Sequence, residues 1–245
     1  MRYYDYQQGL LYHHLSQGEG WKSHQQRCRN FILRAVDLYR PEKITVLGSG
    51  WLFELPISEI AEKTGKVILI DIIHPPEVIA QTAGMKNVGL AEQDITGGLI
   101  EEVWKKAGRR TFLNKLPSLD EIHIPEYQPA DDPGMVVSLN ILTQLESQPE
   151  KLLRSKSKAT EDEFRRFKEE IQMKHIGFLE KHKSVLITDI AEIITGPGRK
   201  ITEKNTLHAN LPEASAEEEW IWDFDLLRSD FNKTTSVFKI MALIL

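Results

Sequence analysis

Three short stretches carry the residues best suited to chemistry, and each follows an apolar run. Gly48-Ser49-Gly50 closes the first run, Asp71 ends the second, and Gln93-Asp94-Ile95 follows the third. Glycines at the end of a strand let a ligand approach the main chain closely. A carboxylate about twenty residues further on can accept two hydrogen bonds from the vicinal diol of a ribose. The acid of the third stretch could accept from the amino group of a base, with Ile95 against one face of that base and Ile72 against the other. Each has a plainer reading beside it. The glycines could form a simple turn, Asp71 could cap the next helix, and Asp94 could cap the helix near Gly97.

A second set follows the fourth and fifth apolar runs: Ser138, Asn140 and Gln144, then Asp189 and Glu192. Asn140, Gln144 and Asp189 are the candidate catalytic residues, although loop and cap chemistry would use the same residue types. Among the histidines, His74 could face a ligand at the second strand. His24 lies one turn along from Trp21 on the first amphipathic stretch. His175 falls on an apolar helical face and reads as a core histidine. His13 and His14 are adjacent, so their side chains do not converge as a metal pair, and no metal site is expected.

These residues need elements to hold them. Residues 1–20 are polar and aromatic and read as a loosely ordered N-terminal arm. From residue 21 to 39, apolar side chains recur at helical spacing (Trp21, Cys28, Phe31, Ile32, Ala35, Val36) and stop before Pro41. Short strand-like runs at 43–48, 66–71, 87–92, 135–140 and 184–189 alternate with helical stretches at 56–63, 75–83, 97–107 and 160–181. Thr160 and Glu163 have the spacing of a capping box at the start of the last helix. Residues 220–224 and 236–245 read as an antiparallel closing pair, after a turn at 196–198. The proline-rich, charged segment 108–133 interrupts the rhythm. It reads as an insertion, either a lid or specificity loop or a disordered connector, with a short strand near 121–124. The basic stretch 151–158 reads as a solvated face.

Strand and helix alternating in this way predict a parallel sheet covered on both sides. The expected fold is α/β: a Rossmann-like, doubly wound, mostly parallel seven-stranded sheet with an antiparallel terminal strand. Residues 21–245 are read as one domain.

The chain has 245 residues, 41% of them hydrophobic and 27% charged, which is enough to build a sizeable core. Its formal net charge of −5 gives no overall pull toward nucleic acid or an anionic membrane. The single cysteine excludes a disulfide framework and a multi-cysteine zinc site. The N-terminus lacks the apolar core of a signal peptide, and no apolar run is long enough to span a bilayer. A cytoplasmic protein is expected.

Taken in order, these stretches resemble the class I S-adenosylmethionine-dependent methyltransferase family. Val46-Leu47-Gly48-Ser49-Gly50 looks like its first motif, Asp71 like its ribose-binding acid, and Asp94 like its adenine-side acid. Residues 132–140 stand where its fourth motif does, and the closing pair looks like its last two strands. The resemblance runs from about residue 21 to the C-terminus. It implies S-adenosylmethionine as cofactor, held by Gly48, Ser49, Gly50, Asp71, Ile72, Asp94, Ile95 and Ser138, with a small-molecule or protein acceptor.

There are two departures from the family pattern. No acid stands just before the first glycine, where the sequence reads Thr45-Val46-Leu47. Bulky Trp51, Leu52 and Phe53 follow Gly50. A dinucleotide fingerprint needs small residues there for pyrophosphate approach, so a nicotinamide-dependent oxidoreductase fits less well. A non-catalytic cofactor-binding module of the same fold is the other alternative. Asn140-Ile141-Leu142 is not the Asn/Asp-Pro-Pro-aromatic motif of enzymes that methylate nucleic-acid amino groups.

Overall fold

The computed structural model describes residues 3–17, 19–196, 198, 200–227 and 234–245. Its elements, in chain order, are α1 (Tyr3–Gln17), α2 (Glu19–Tyr39), β1 (Lys43–Leu47), α3 (Ile57–Lys63), β2 (Lys66–Asp71), α4 (Pro76–Thr82), β3 (Val88–Glu92), α5 (Leu99–Ala107) and β4 (Met135–Leu139). They continue with α6 (Ser147–Lys156), α7 (Glu161–Leu179), β5 (Ser184–Thr195), β6 (Ile201–Asn205), β7 (Ala216–Asp225) and β8 (Thr235–Ile244).

The main path of the sheet runs β3-β2-β1-β4-β5-β8-β7. β3, β2, β1, β4 and β5 are mutually parallel, and β8 and β7 close the sheet antiparallel. This is the doubly wound α/β sheet expected, with the antiparallel pair at its end. An eighth strand, β6, joins it by pairing with the far half of β5. Strand order reverses between β1 and β4, so a crevice opens beyond their carboxyl ends, the usual ligand site of an open α/β sheet.

Side-chain alternation decides which residues reach which face. Met135, Val137 and Leu139 of β4 join Phe31, Ile32 and Ala35 of α2 in one core layer. Val136 joins Leu99 and Val103 of α5 and Phe164 and Phe167 of α7 in the other. Burying each large apolar side chain stabilises the fold by roughly 1.5–3 kcal/mol. α2 ends where Arg40 turns left-handed (φ 43°) before Pro41. α7 begins with the capping box foreseen at Thr160 and Glu163. Pro149 sits in the first turn of α6, where a proline forfeits no intrahelical bond.

Three expectations are corrected. Residues 3–17 form a helix rather than a loose arm, and Gln17 docks it by donating to Asp225 Oδ1 at 2.8 Å and accepting from Leu226 N at 2.9 Å. Segment 108–133 is not a free connector, and Tyr127 within it donates its hydroxyl to Gln93 Oε1 at 3.0 Å. Leu116, Leu119, Ile122 and Ile124 are buried in the core layer that includes α5, α6 and α7, while Glu163 accepts from Ser118 Oγ and Leu119 N. Residues 121–124 form no strand; only a short 3-10 turn, Leu119–Glu121, lies there. Pro197, in the turn expected at 196–198, lies outside the described residues. Arg154, within the basic stretch 151–158, pairs with Glu150 and Glu161. No helix among the described residues is long and apolar enough to cross a membrane.

A buried network fastens the segment after β6 to α7. The Gln172 amide donates to Glu146 Oε1 at 3.1 Å and to Thr206 O, and accepts from His208 N and Ala209 N. The second oxygen of Glu146 is buried without a partner. Burial raises the Glu146 pKa from 4.5 to about 8. Between those values the unfolded chain has lost a proton that the native state keeps, so this group makes stability fall as pH rises. Glu146→Gln removes that slope. Its Tm should exceed wild type by roughly 3–10 °C at pH 8 and match it near pH 4.5 in thermal melts. Equal melting curves at pH 8 would refute the assignment.

Candidate functional site

The bend after β1 forms the floor of the crevice. Gly48 N donates to Ile70 O at 2.9 Å, so the bend stays tied to β2 just beyond the strand pairing. Gly48 (φ 78°) and Gly50 (φ 51°) both adopt left-handed backbone, for different reasons. A Cβ on Gly48 would lie 2.7 Å from Ile141 Cβ and 3.0 Å from Leu139 O, so this glycine lets the bend pack against the end of β4. A Cβ on Gly50 would meet nothing within 4 Å. Its open side leaves room for a ligand over the main chain.

Asp71, the last residue of β2, is anchored to that bend. Gly50 N donates to Asp71 Oδ2 at 2.8 Å, and Ile72 N to Oδ1 at 2.8 Å. Burial raises its pKa, and the backbone donors pull it back toward the ordinary carboxylate range.

The crevice has three adjoining parts. The first, about 570 Å³, is lined by Gly48, Asp71, Ile72, Asp94, Ile95 and Gln144. Asp94 also accepts from Thr96 N at 2.9 Å and from Ile100 N at 3.3 Å, so it organises its own loop while facing the cleft. The second part, about 550 Å³, also includes Gly48 and Asp71; it is walled by Trp21, Trp51, Phe53 and Trp222, with Glu54 and Asn140 as polar groups. The third, about 580 Å³, lies beyond Asn140 and Trp222 and is edged by Thr143, Asp189, Phe224 and Phe238. Thr143 Oγ1 donates to Asp189 Oδ1, and the Gln144 amide donates to Asn140 O.

No family model and no curated protein sequence matches the chain. Solved structures with similar folds include the N-methyltransferase NodS of Bradyrhizobium japonicum with S-adenosyl-L-homocysteine (10% identity, TM-score 0.40, covering 89% of this chain and 86% of that one). The methyltransferase domain of bacterial CtHen1 is similar at 9% identity and TM-score 0.39, covering 91% of this chain and 99% of that one. The DhpI–SAH complex is similar at 9% identity and TM-score 0.31, covering 89% and 84%.

Behind the second part lies a buried histidine. Trp220 Nε1 donates to His24 Nδ1 at 3.0 Å, and the Asn140 amide lies 3.1 Å from His24 Nε2. Burial lowers the His24 pKa to about 3, so the ring is neutral. An indole N–H can only donate, so Nδ1 is the acceptor and the ring proton sits on Nε2. That proton needs an acceptor, which sets the Asn140 amide with its oxygen toward the imidazole. Asn140 is further fixed by its left-handed backbone (φ 51°) and by Asn140 N donating to Ile187 O at 2.8 Å. Trp222 stacks on the same imidazole at 4.0 Å.

The fold brings Gly48, Ser49, Gly50, Asp71, Ile72, Asp94, Ile95, Asn140 and Gln144 to the first two parts, and Asp189 to the third. Ser138 is corrected: it points to the α7 face, fully buried, with its Oγ 2.8 Å from His175 Nε2. His175 is the core histidine expected, neutral with its pKa lowered by burial to about 4. His74 is also turned away, its backbone N donating to Glu92 Oε1 and its Nε2 lying 3.2 Å from Ala91 O. Glu54 was missed. Its only sequence signal is that it is the sole acid in the loop between Gly50 and α3.

Proposed function

We propose that the first two parts of the crevice bind S-adenosylmethionine and that the protein is a methyltransferase. The observation that carries this reading is Asp71. Its carboxylate is anchored to the glycine bend and lines both parts, where the ribose of an adenosyl ligand spanning them would lie. A carboxylate oxygen accepts more than one hydrogen bond, so an anchored Asp71 can also take ribose hydroxyls. Ile72 and Ile95 offer apolar surface to the adenine, with Asp94 as acceptor for its amino group. The open side of Gly50 leaves space for the ligand's sulfur end. A pyrophosphate would meet the rings of Trp51 and Phe53 there, which disfavours a nicotinamide dinucleotide.

When bound, the cofactor supplies an electrophilic methyl group on a sulfonium. The chain's task is to hold a nucleophile in line with it. Asn140, Gln144 and Asp189 border the third part, where the acceptor would enter. Apolar Phe224 and Phe238 beside polar Thr143 and Asp189 offer an acceptor both kinds of contact. Asp189 could accept a proton if the acceptor arrives protonated.

Isothermal titration with S-adenosylhomocysteine tests the reading, and a saturable binding isotherm is expected. No heat at millimolar ligand would remove the proposal. Binding without methyl release across a broad acceptor screen would mark a non-catalytic module instead.

A further inference from the structure

Glu54 forms no close ion pair with a lysine or arginine among the described residues, although the Arg29 charge lies near enough to favour its ionised form. Its side chain is only 15% exposed, and His24 Nε2 lies 4.0 Å from its Oε1. That imidazole is neutral. Arg29, also on α2, spends its Nε and Nη2 on Phe53 O at 3.2 and 2.8 Å. Burial raises the Glu54 pKa to about 7, outweighing a backbone hydrogen bond and the Arg29 charge, which both lower it.

The backbone places this group deliberately. Leu52 sits in left-handed conformation (φ 62°) with its side chain buried in the core, and Leu52 N donates to Ser49 O at 3.1 Å. A non-glycine residue held at positive φ stores strain that recurs at ligand sites. The resulting turn returns Glu54 to the second part of the crevice, beside Trp21, Trp51, Phe53 and Trp222. A buried carboxylate among aromatic faces attracts a cation.

Resting on the proposed cofactor reading, we infer that Glu54 receives the α-ammonium of the cofactor's aminocarboxypropyl tail. With adenine beside Ile72 and Ile95 and ribose at Asp71, the tail extends over Gly50 into the part that Glu54 lines. Glu54 thereby supplies the negative charge that Thr45-Val46-Leu47 lacks.

The test compares two ligands by titration calorimetry. S-adenosylhomocysteine carries the tail, whereas 5′-methylthioadenosine keeps the adenosine and sulfur but lacks it. Glu54→Gln should weaken S-adenosylhomocysteine at least tenfold and leave 5′-methylthioadenosine within about twofold of wild type. Equal loss for both ligands, or no loss for either, overturns the inference. If wild type binds neither, the cofactor reading itself fails. Unchanged binding of 5′-methylthioadenosine also shows that the variant is folded.

A second measurement needs wild type alone. The groups facing Glu54 are His24, Cys28 and Arg29 from α2, with Asp71 across the cleft. Burial keeps His24 neutral and holds the Cys28 thiol well above its ordinary range. The affinity ratio of S-adenosylhomocysteine to 5′-methylthioadenosine should therefore rise between pH 5.5 and 7.5, as the Glu54 carboxylate forms. A flat ratio counts against the inference.

Discussion

Gly48→Ala should cost both fold and ligand. At φ 78° an alanine is strained by about 1–2 kcal/mol. Its Cβ would sit 2.7 Å from Ile141 Cβ and 3.0 Å from Leu139 O, closer than packed atoms tolerate. The bend must lift off the end of β4, and it forms the floor of both ligand-facing parts. Together these effects predict a loss of about 2–4 kcal/mol, or roughly 5–15 °C in Tm, with S-adenosylhomocysteine affinity falling more than tenfold. Gly50→Ala is the informative contrast. Its Cβ meets no protein atom, so only the strain remains and Tm should fall by a few degrees. Its ligand affinity should nevertheless drop, because the methyl group projects where the ligand would pass. Thermal melts and calorimetry on the two variants separate packing from binding. A Gly48→Ala protein with native Tm and native affinity contradicts the account.

Asp71→Ala should weaken S-adenosylhomocysteine by about ten- to a hundredfold, the loss of two charge-assisted hydrogen bonds to the ribose. 5′-Methylthioadenosine should lose as much, since it carries the same ribose; Glu54→Gln spares it. Asp71→Asn should not rescue binding. Both oxygens of the native carboxylate accept main-chain N–H groups, one from Gly50 and one from Ile72. An amide turns one of those acceptors into a donor, facing N–H against N–H. Each orphaned buried donor costs about 1–3 kcal/mol, so both variants should melt lower than wild type. Undiminished affinity in Asp71→Ala would leave the ribose assignment without support.

Much of this arrangement was legible in the sequence because the parallel strands are short, apolar and punctuated by glycine and proline. Gly48, Gly50 and Asp71 stand at strand ends, and strand ends in such a sheet share one edge. Ser138 was misread although the information was present. Period-two alternation places it with Val136 on the α7 face, opposite Met135, Val137 and Leu139. β6 left no trace because all five of its residues are exposed and its pairing depends wholly on β5. α1 has no apolar stripe to announce it, and its position is set by Gln17 reaching a strand more than two hundred residues away. Glu54 stands beside Trp51 and Phe53 in the sequence, but Trp21 and Trp222 join them only in three dimensions. Trp21 comes from the first amphipathic helix and Trp222 from the penultimate strand. No local pattern relates them.

The way β5 changes neighbours midway has a consequence for how acceptor choice could diversify. Its first half lies beside β4, through Ser184 to Ile187, and its second half beside β6, from Ala191 onward. Between them the register slips at Asp189/Ala191, and Ile190 O receives Thr206 N and Leu207 N. The sheet therefore forks at this point, and the third cavity lies in the fork, with Asp189 and Thr206 on one border. Moving the Asn205 end of the β5–β6 pairing away from or toward β4 would widen or narrow that notch while leaving β1, β2 and the glycine bend untouched. Under the proposed reading, substrate scope and methyl-donor binding sit on separately adjustable pieces of one sheet.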